Sequence, residues 1–341
     1  MSKQTFRRSL LLSALAATFA SGALAQAQTT PKALKAAPAA APLAWPTKPV
    51  RILVGFPGGS TPDLVARTIA EPLSKALGQP VIVENKPGAG GNIAADTVVK
   101  ATDNHTIGVL INGNMTIAKM LNPATPFDPL KELAPISLIG TAPLMLTAAT
   151  TTPGSTVQEF FLAGRNAGTK WSYGSPGVGT VGHIGMELLK TKTNMDPVHV
   201  PYPGNPQVIN ALIGGQIQLA LLPPGLAAQQ IRAGKLKAIG VTSTSRSPLV
   251  PEYPSLDEGG LRGFQLEIWT AAAAPISMPK PIVAKLSALI SEIARTPEVR
   301  QKLFQQGWQV AGTSAEGLAM RIKADTALLG GVIQMRNIKA E

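Results

Sequence analysis

From Lys48 onward, short apolar runs alternate with longer segments whose apolar residues recur every three or four positions. Val50, Ile52 and Val54 are β-formers in a short apolar run interrupted only by Arg51, which predicts a buried parallel strand. Phe56-Pro57-Gly58-Gly59-Ser60 then breaks the run with turn chemistry. Thr61 is placed to cap a helix, Pro62 fits its first position, and Asp63 sits where negative charge is favoured. Leu64, Val65, Thr68, Ile69, Leu73, Ala76 and Leu77 continue at helical spacing to Gly78. Pro72 lies inside this pattern and predicts a kink.

The same alternation repeats downstream. Strands are predicted at Val81–Glu84, Thr106–Ile111, Ile136–Ile139, Leu144–Ala148, Trp171–Ser175, Val198–Val200, Ile217–Leu222, Leu236–Thr242 and Leu266–Ala274. Helices are predicted at Ile93–Lys100, Val157–Ala167, Val181–Lys190, Gln207–Ile213, Leu226–Ala233, Lys280–Ala294, Pro297–Gln306 and Ser314–Arg336. Asn112-Gly113-Asn114 reads as a polar turn, and Phe127–Leu133 as turn-rich. Strands alternating with helices predict an α/β fold with mainly parallel sheets.

The first residues follow a different pattern. Lys3, Arg7 and Arg8 precede the apolar run Leu10–Phe19 and the small-residue signal Ala23-Leu24-Ala25, so residues 1–25 read as a secretory signal peptide. Residues 26–44, rich in Ala, Pro and Thr, read as a flexible leader, with order expected from Trp45. Export implies the periplasm. The chain has no cysteine, which excludes disulfides, thiolate metal sites and cysteine-borne lipid anchors. Its length suits two domains of roughly 150 residues each. The net charge is +12, but aromatic residues are only 4% and the basic residues are scattered, which argues against a nucleic-acid surface.

Candidate chemistry is mostly exclusion. Gly177-Val178-Gly179-Thr180-Val181-Gly182 matches G-x-G-x-x-G after a strand. The next strand ends His199-Val200-Pro201-Tyr202 and lacks the acid that would hold a ribose, which argues against a dinucleotide. Gly88–Gly91 lacks the Lys-Ser/Thr of a P-loop. His183 and Glu187 share a helix face at metal-ligand spacing, but no third ligand follows. There is no G-x-S-x-G elbow. No metal, no cofactor and no enzymatic activity are therefore expected. What remains is a repeated device. Phe56–Thr61, Asn112–Asn114, Ser175–Thr180 and Tyr202–Asn205 are strand-end turns rich in Gly, Ser, Thr and Asn, without Lys or Arg. Helix N-termini opening from such turns suit an anion held by neutral donors. The expected donors are the N–H groups of Gly58–Ser60 and Gly177–Thr180, with the Ser175 and Thr180 hydroxyls.

VRILVGFPGGSTPDLVAR, LGQPVIVENKPGAGGNIAADTVVKA, YGSPGVGTVGHIGMELL and VHVPYPGNPQVINALIGGQIQLAL resemble, in order and spacing, the Bug or TctC-like receptors of tripartite tricarboxylate transporters. The resemblance runs from Trp45 to the C-terminus. It implies a type II periplasmic-binding-protein fold: two α/β lobes, two chain crossings and an interlobe ligand cleft that closes about a hinge. It places lobe 1 at residues 45–143 plus 270–341 and lobe 2 at residues 144–269. It also implies capture of a di- or tricarboxylate or an aromatic acid, delivery to a membrane permease, and a monomer. A receptor feeding a sensor kinase and, less well supported, a NAD-linked oxidoreductase are the alternatives.

The ligand-binding residues expected are Phe56, Pro57, Gly58, Gly59, Ser60, Asp63, Asn112, Asn114, Ser175, Gly177, Gly179, Thr180, Tyr202, Gly204, Asn205 and Trp269. Asp63 either reaches the ligand through water or serves as a helix N-terminal carboxylate. Trp269 and Tyr202 either line the cleft or pack in the core. The family's aspartates near Gln218 and Leu222 are missing, which disfavours ligands bearing an amino group.

Overall fold

The computed structural model describes residues 44–339. The expected signal peptide, and all of the expected leader except Ala44, lie outside the described residues. Two sheets organise the chain. The first holds β1 (Val50–Val54), β2 (Val81–Asn85), β3 (Thr106–Ile111), β4 (Leu133–Pro143), β10 (Glu267–Pro275) and β11 (Gln309–Val310), in the order β11-β4-β10-β3-β1-β2. The second holds β5 (Met145–Ala149), β6 (Ser172–Ser175), β7 (Val198–Pro201), β8 (Leu219–Leu222) and β9 (Leu236–Val241), in the order β7-β6-β8-β5-β9.

Helices α1 (Thr61–Leu77), α2 (Asn92–Val99), α3 (Asn112–Thr116), α4 (Ala118–Leu121) and α5 (Pro129–Glu132) connect the early strands of the first sheet. Helices α6 (Val157–Ala167), α7 (Val181–Thr193), α8 (Asn205–Ile213) and α9 (Pro224–Arg232) serve the second sheet. Helices α10 (Lys280–Arg295), α11 (Pro297–Gln305) and α12 (Ala315–Arg336) complete the described chain.

Each sheet is buried on both faces. The first is covered by the cluster around Ile52, Ile69 and Leu286 and by that around Leu53, Leu110 and Trp269. The second is covered by clusters around Phe160 and Ile184, and around Val208 and Leu222. Double burial explains why Ile52–Val54 of β1 and the whole of β8 are unbroken apolar runs. This is a mixed α/β fold of two lobes. Its sheets are not mainly parallel, as expected, but mixed. β1 pairs in parallel with β2 and β3, and β6 with β7 and β8. β10 runs antiparallel to β3 and β4, β11 to β4, and β5 to β8 and β9. The antiparallel pairs come from the strands that carry the chain between sheets and from the short return at β11. Local periodicity carries no information about that direction.

Only Leu144 separates β4 from β5, so the chain passes from one sheet to the other in a single residue. It returns through residues 242–266 into β10. Thr242 ties the two passages together: its Oγ1 accepts from the Leu144 N–H at 2.8 Å and donates to the Leu266 carbonyl at 2.7 Å. Helix α12 begins against the first sheet through Leu318 and ends with Leu329, Val332 and Ile333 in the core of the second.

Two local expectations changed. Asn112-Gly113-Asn114 opens a short helix, where Asn114 Oδ1 accepts from the Ile111 N–H. The Phe127–Leu133 stretch contains α5, capped by Asp128 accepting from the Leu130 N–H at 3.1 Å. Helix α1 runs through Pro72 without a break.

Candidate functional site

The carboxyl ends of β1, β3, β6, β7 and β8 each lead into a helix, and the first residues of those helices meet in one place. Ser60 and Thr61 at the start of α1, Asn112 of α3, Thr180 and Gly182 at the start of α7, Asn205 of α8 and Pro223 before α9 all line one enclosed cavity. The remaining walls are apolar or aromatic: Phe56, Pro62, Ile111, Leu144, Pro176, Val181, Leu221, Ile268, Trp269 and Trp308, with Thr270 among them. Its volume is about 40 Å³, room for a few waters. Among the described residues, no charged side chain lines it.

The two lobes touch around this space. Asn205 Nδ2 lies 3.4 Å from Thr61 Oγ1 across the cleft. A methyl group added at Gly113 would run into the Gly179 carbonyl oxygen, and one at Gly90 would lie 2.5 Å from that of Val178. These glycines allow the backbones on the two sides to meet.

Several buried polar atoms facing this region have no hydrogen-bond partner among the described residues. They include Ser60 Oγ, Asn112 Oδ1, Asn205 Oδ1, Thr270 Oγ1 and Trp308 Nε1. Ser60, Asn112, Thr270 and Trp308 are each at most 1% exposed. Buried groups of this kind are normally paired, and leaving one unpaired costs about 1–3 kcal/mol. Their concentration around one cavity marks a binding site.

Six of the expected residues line the cavity: Phe56, Ser60, Asn112, Thr180, Asn205 and Trp269. The others lie around it. Gly58 and Gly59 are exposed at the tip of the first turn. Pro57 abuts Gly204 across the cleft, and Gly177 and Tyr202 line a larger opening of about 480 Å³ beside it. Asn114 donates to the Gly90 carbonyl at 2.9 Å. Thr61, Thr270 and Trp308 are the polar lining residues that the sequence reading missed. A lone hydroxyl in the apolar run Ile268–Ala274 could have pointed to Thr270. No local signal marks Trp308, because its place depends on the chain returning after α11.

The donor set also differs from expectation. Most of the turn N–H groups close their own turns. Gly59 N–H donates to Asp63 Oδ2 at 2.9 Å and Ser60 N–H to the Pro57 carbonyl at 3.1 Å. Gly177 N–H donates to Ser175 Oγ, Gly179 N–H to His183 Nδ1 and Thr180 N–H to the Gly177 carbonyl. The Thr180 hydroxyl donates to that carbonyl too, at 2.7 Å. What α1 and α7 still present to the cavity is the positive end of each helix dipole and the few first-turn N–H groups without a helical acceptor. These are the N–H groups of Thr61 and Asp63 in α1, where Pro62 has none, and of Val181 and Gly182 in α7, where the His183 N–H already donates to the Thr180 carbonyl.

Each turn has a buttress. Asp63 is buried beneath the first, where it accepts from Gly59, Asn85 and Arg67. Burial opposes its charged form, but bonds from Arg67, Asn85 and Gly59 hold its carboxyl below the usual range. Behind the second turn, Ser175 Oγ lies 2.7 Å from His199 Nε2. The His199 ring stacks on His183 at 4.2 Å and on Tyr173 at 4.8 Å. Burial lowers His183 to about 4 and, together with the neighbouring His183, lowers His199 to about 3. Tyr173 donates to Glu187, which also pairs with Lys190 and Arg336. The His183–Glu187 spacing noted in the sequence belongs to this network.

Comparison with known proteins follows the same lines. The sequence profile of the tripartite tricarboxylate transporter family receptor matches residues 65–338. A UPF0065 protein from the tcbD-tcbE intergenic region of Pseudomonas sp. (strain P51) is 34% identical over 286 residues, covering 83% of this chain and 84% of that protein. Periplasmic binding protein BugD superposes with a TM-score of 0.82 at 30% identity, over 87% of this chain and 100% of that one. MatC from Rhodopseudomonas palustris, solved with bound malate, superposes with a TM-score of 0.81 at 32% identity, over 85% and 100%.

Proposed function

This chain belongs to the tripartite tricarboxylate transporter receptor family, and on that premise we propose that it captures a small organic carboxylate in the periplasm and delivers it to a membrane permease. One observation carries the reading. An enclosed, uncharged cavity between two lobes is entered by the N-termini of α1 and α7 and ringed by buried polar atoms without protein partners. A carboxylate there takes first-turn N–H groups from both helices, each helix end presenting roughly half a positive charge. Charge-assisted bonds of that kind contribute about 1.5–3 kcal/mol each. The malate held by MatC supports a carboxylate ligand.

The lobes in this reading are residues 45–143 plus 270–341 and residues 144–269, with Thr242 at the hinge and α12 spanning both. Ser60, Thr61, Asn112, Thr180, Asn205, Phe56 and Trp269 contact the ligand. Asp63 and Ser175 hold the turns in shape. Residues 1–25 direct export and are then removed. The protein acts as a receptor, not an enzyme, works as a monomer, and needs neither metal nor cofactor.

A thermal-shift screen of the purified protein against mono-, di- and tricarboxylates and aromatic acids tests this. At least one acid is expected to raise the melting temperature saturably, with one-to-one stoichiometry by calorimetry and a smaller scattering radius when bound. No response to any carboxylate overturns the proposal.

A further inference from the structure

The polar atoms around the cavity are not distributed evenly. Asn112, Thr270 and Trp308 form a row across the first sheet. Thr270 pairs with Ile111, the residue before Asn112, on one side and with Gly140 on the other. The Trp308 ring lies over Gly140, 3.5 Å from where a methyl group at that glycine would sit. Asn112 Nδ2 is engaged by the Glu267 carbonyl at 3.1 Å, which leaves Oδ1 as an acceptor. Thr270 Oγ1 both donates and accepts, and Trp308 Nε1 only donates. None of the three atoms has a partner among the described residues.

We propose that this row reads a hydroxyl group on the ligand, so that the site selects a short hydroxy monocarboxylate. This rests on the carboxylate reading above. The chemistry is one of matching. A hydroxyl both accepts and donates, so it can accept from Trp308 or Thr270 and donate to Thr270 or Asn112. A second carboxylate only accepts, so it faces Asn112 Oδ1 with no donor, and no Lys or Arg lines the cavity to neutralise it. An ammonium only donates, so it faces the Trp308 N–H with no acceptor and finds no carboxylate side chain there. A methyl group leaves every polar atom of the row unpaired. The small enclosed volume favours acids of few carbons.

Calorimetric titration with two matched sets tests the proposal: lactate, propionate, alanine and malonate, then 3-hydroxybutyrate, butyrate and succinate. In at least one set, the hydroxy acid is expected to bind at least about 10-fold more tightly than every partner in its set. Trp308→Phe and Thr270→Val are expected to reduce that preference to about threefold or less. The preference is read first in the wild-type protein, so the test does not depend on either variant folding. Carboxylate binding without a hydroxyl preference, or a preference that survives both substitutions, overturns this inference alone. Binding of no carboxylate overturns the proposed function and this inference with it.

Discussion

The two strand–turn–helix units that enter the cavity, β1–α1 and β6–α7, share one geometry but are held by different chemistry. In the first, a buried carboxylate, Asp63, gathers the turn by accepting from Gly59, Asn85 and Arg67. In the second, neutral imidazoles do that work, His183 accepting from Gly179 and His199 pairing with Ser175. A helix N-terminus tolerates an acid beneath it because the dipole and the donors favour the anion. The second unit keeps its histidines uncharged by burial instead. The same ligand-facing surface can therefore rest on a charged or an uncharged foundation, and the two respond to acid in different ranges.

Acid is expected to have the largest effect. The unfolded histidines take up protons near pH 6.5, whereas the folded ones resist until about 4 and about 3. Between those limits the unfolded state binds more protons, so stability falls as pH falls from about 6.5. Each tenfold difference in proton affinity is worth about 1.4 kcal/mol, so the two together cost several kcal/mol. Asp63 has the opposite kind of ionisation but the same direction. Its folded value lies below 3.8, so its contribution is present above that pH and is lost only as pH falls below it. Urea unfolding across pH 3–8 checks the separation. His199→Gln should flatten the curve between pH 6.5 and 4, and Asp63→Asn only below that. If Asp63→Asn flattens the upper range, the two foundations are not distinct.

Closure is expected to come next. Ala at Gly113 would drive its methyl group into the Gly179 carbonyl, on the second unit's turn. Gly113→Ala should hold the lobes apart and weaken carboxylate binding by about 100-fold, with the unliganded melting temperature nearly unchanged. Calorimetry and scattering on the variant measure both. Unaltered affinity would mean that the observed lobe contact is not the ligand-bound one.

Asp63→Ala leaves Gly59, Asn85 and Arg67 without their acceptor and should cost about 2–3 kcal/mol of stability. Thr180→Ala removes one hydroxyl bond to Gly177 and should weaken ligand binding by about 5- to 10-fold. Equal losses from the two would erase the contrast between the units. The smallest expected effect is none: affinity between pH 6 and 8 should stay flat, because both histidines remain neutral and no charged side chain lines the cavity. A slope in that range would place a titrating group in contact with the ligand.

The order of strands and helices was legible from periodicity because each element buries its own apolar stripe or run. Thr106–Ile111 and Val157–Ala167 match the sequence reading to the residue. The turns at Ser60, Thr180 and Asn205 were legible for a similarly local reason, since a strand end, small polar residues and a helix start lie within a few positions. Strand direction was not legible, because β5 and β10 run against their neighbours only through connections to the other sheet. The histidine network was half legible: the i, i+4 spacing of His183 and Glu187 was visible, but His199 joins them from another strand.

Sequence alone therefore determined the elements, the small polar residues at their ends, and the lack of charge in those turns, all properties of neighbours along the chain. Tertiary structure alone decided which polar atoms share a cavity. Thr270 and Trp308 meet Asn112 because β10 inserts between β3 and β4, and because the segment after α11 folds back over Gly140. Those contacts join residues more than 150 positions apart, and no local propensity encodes them.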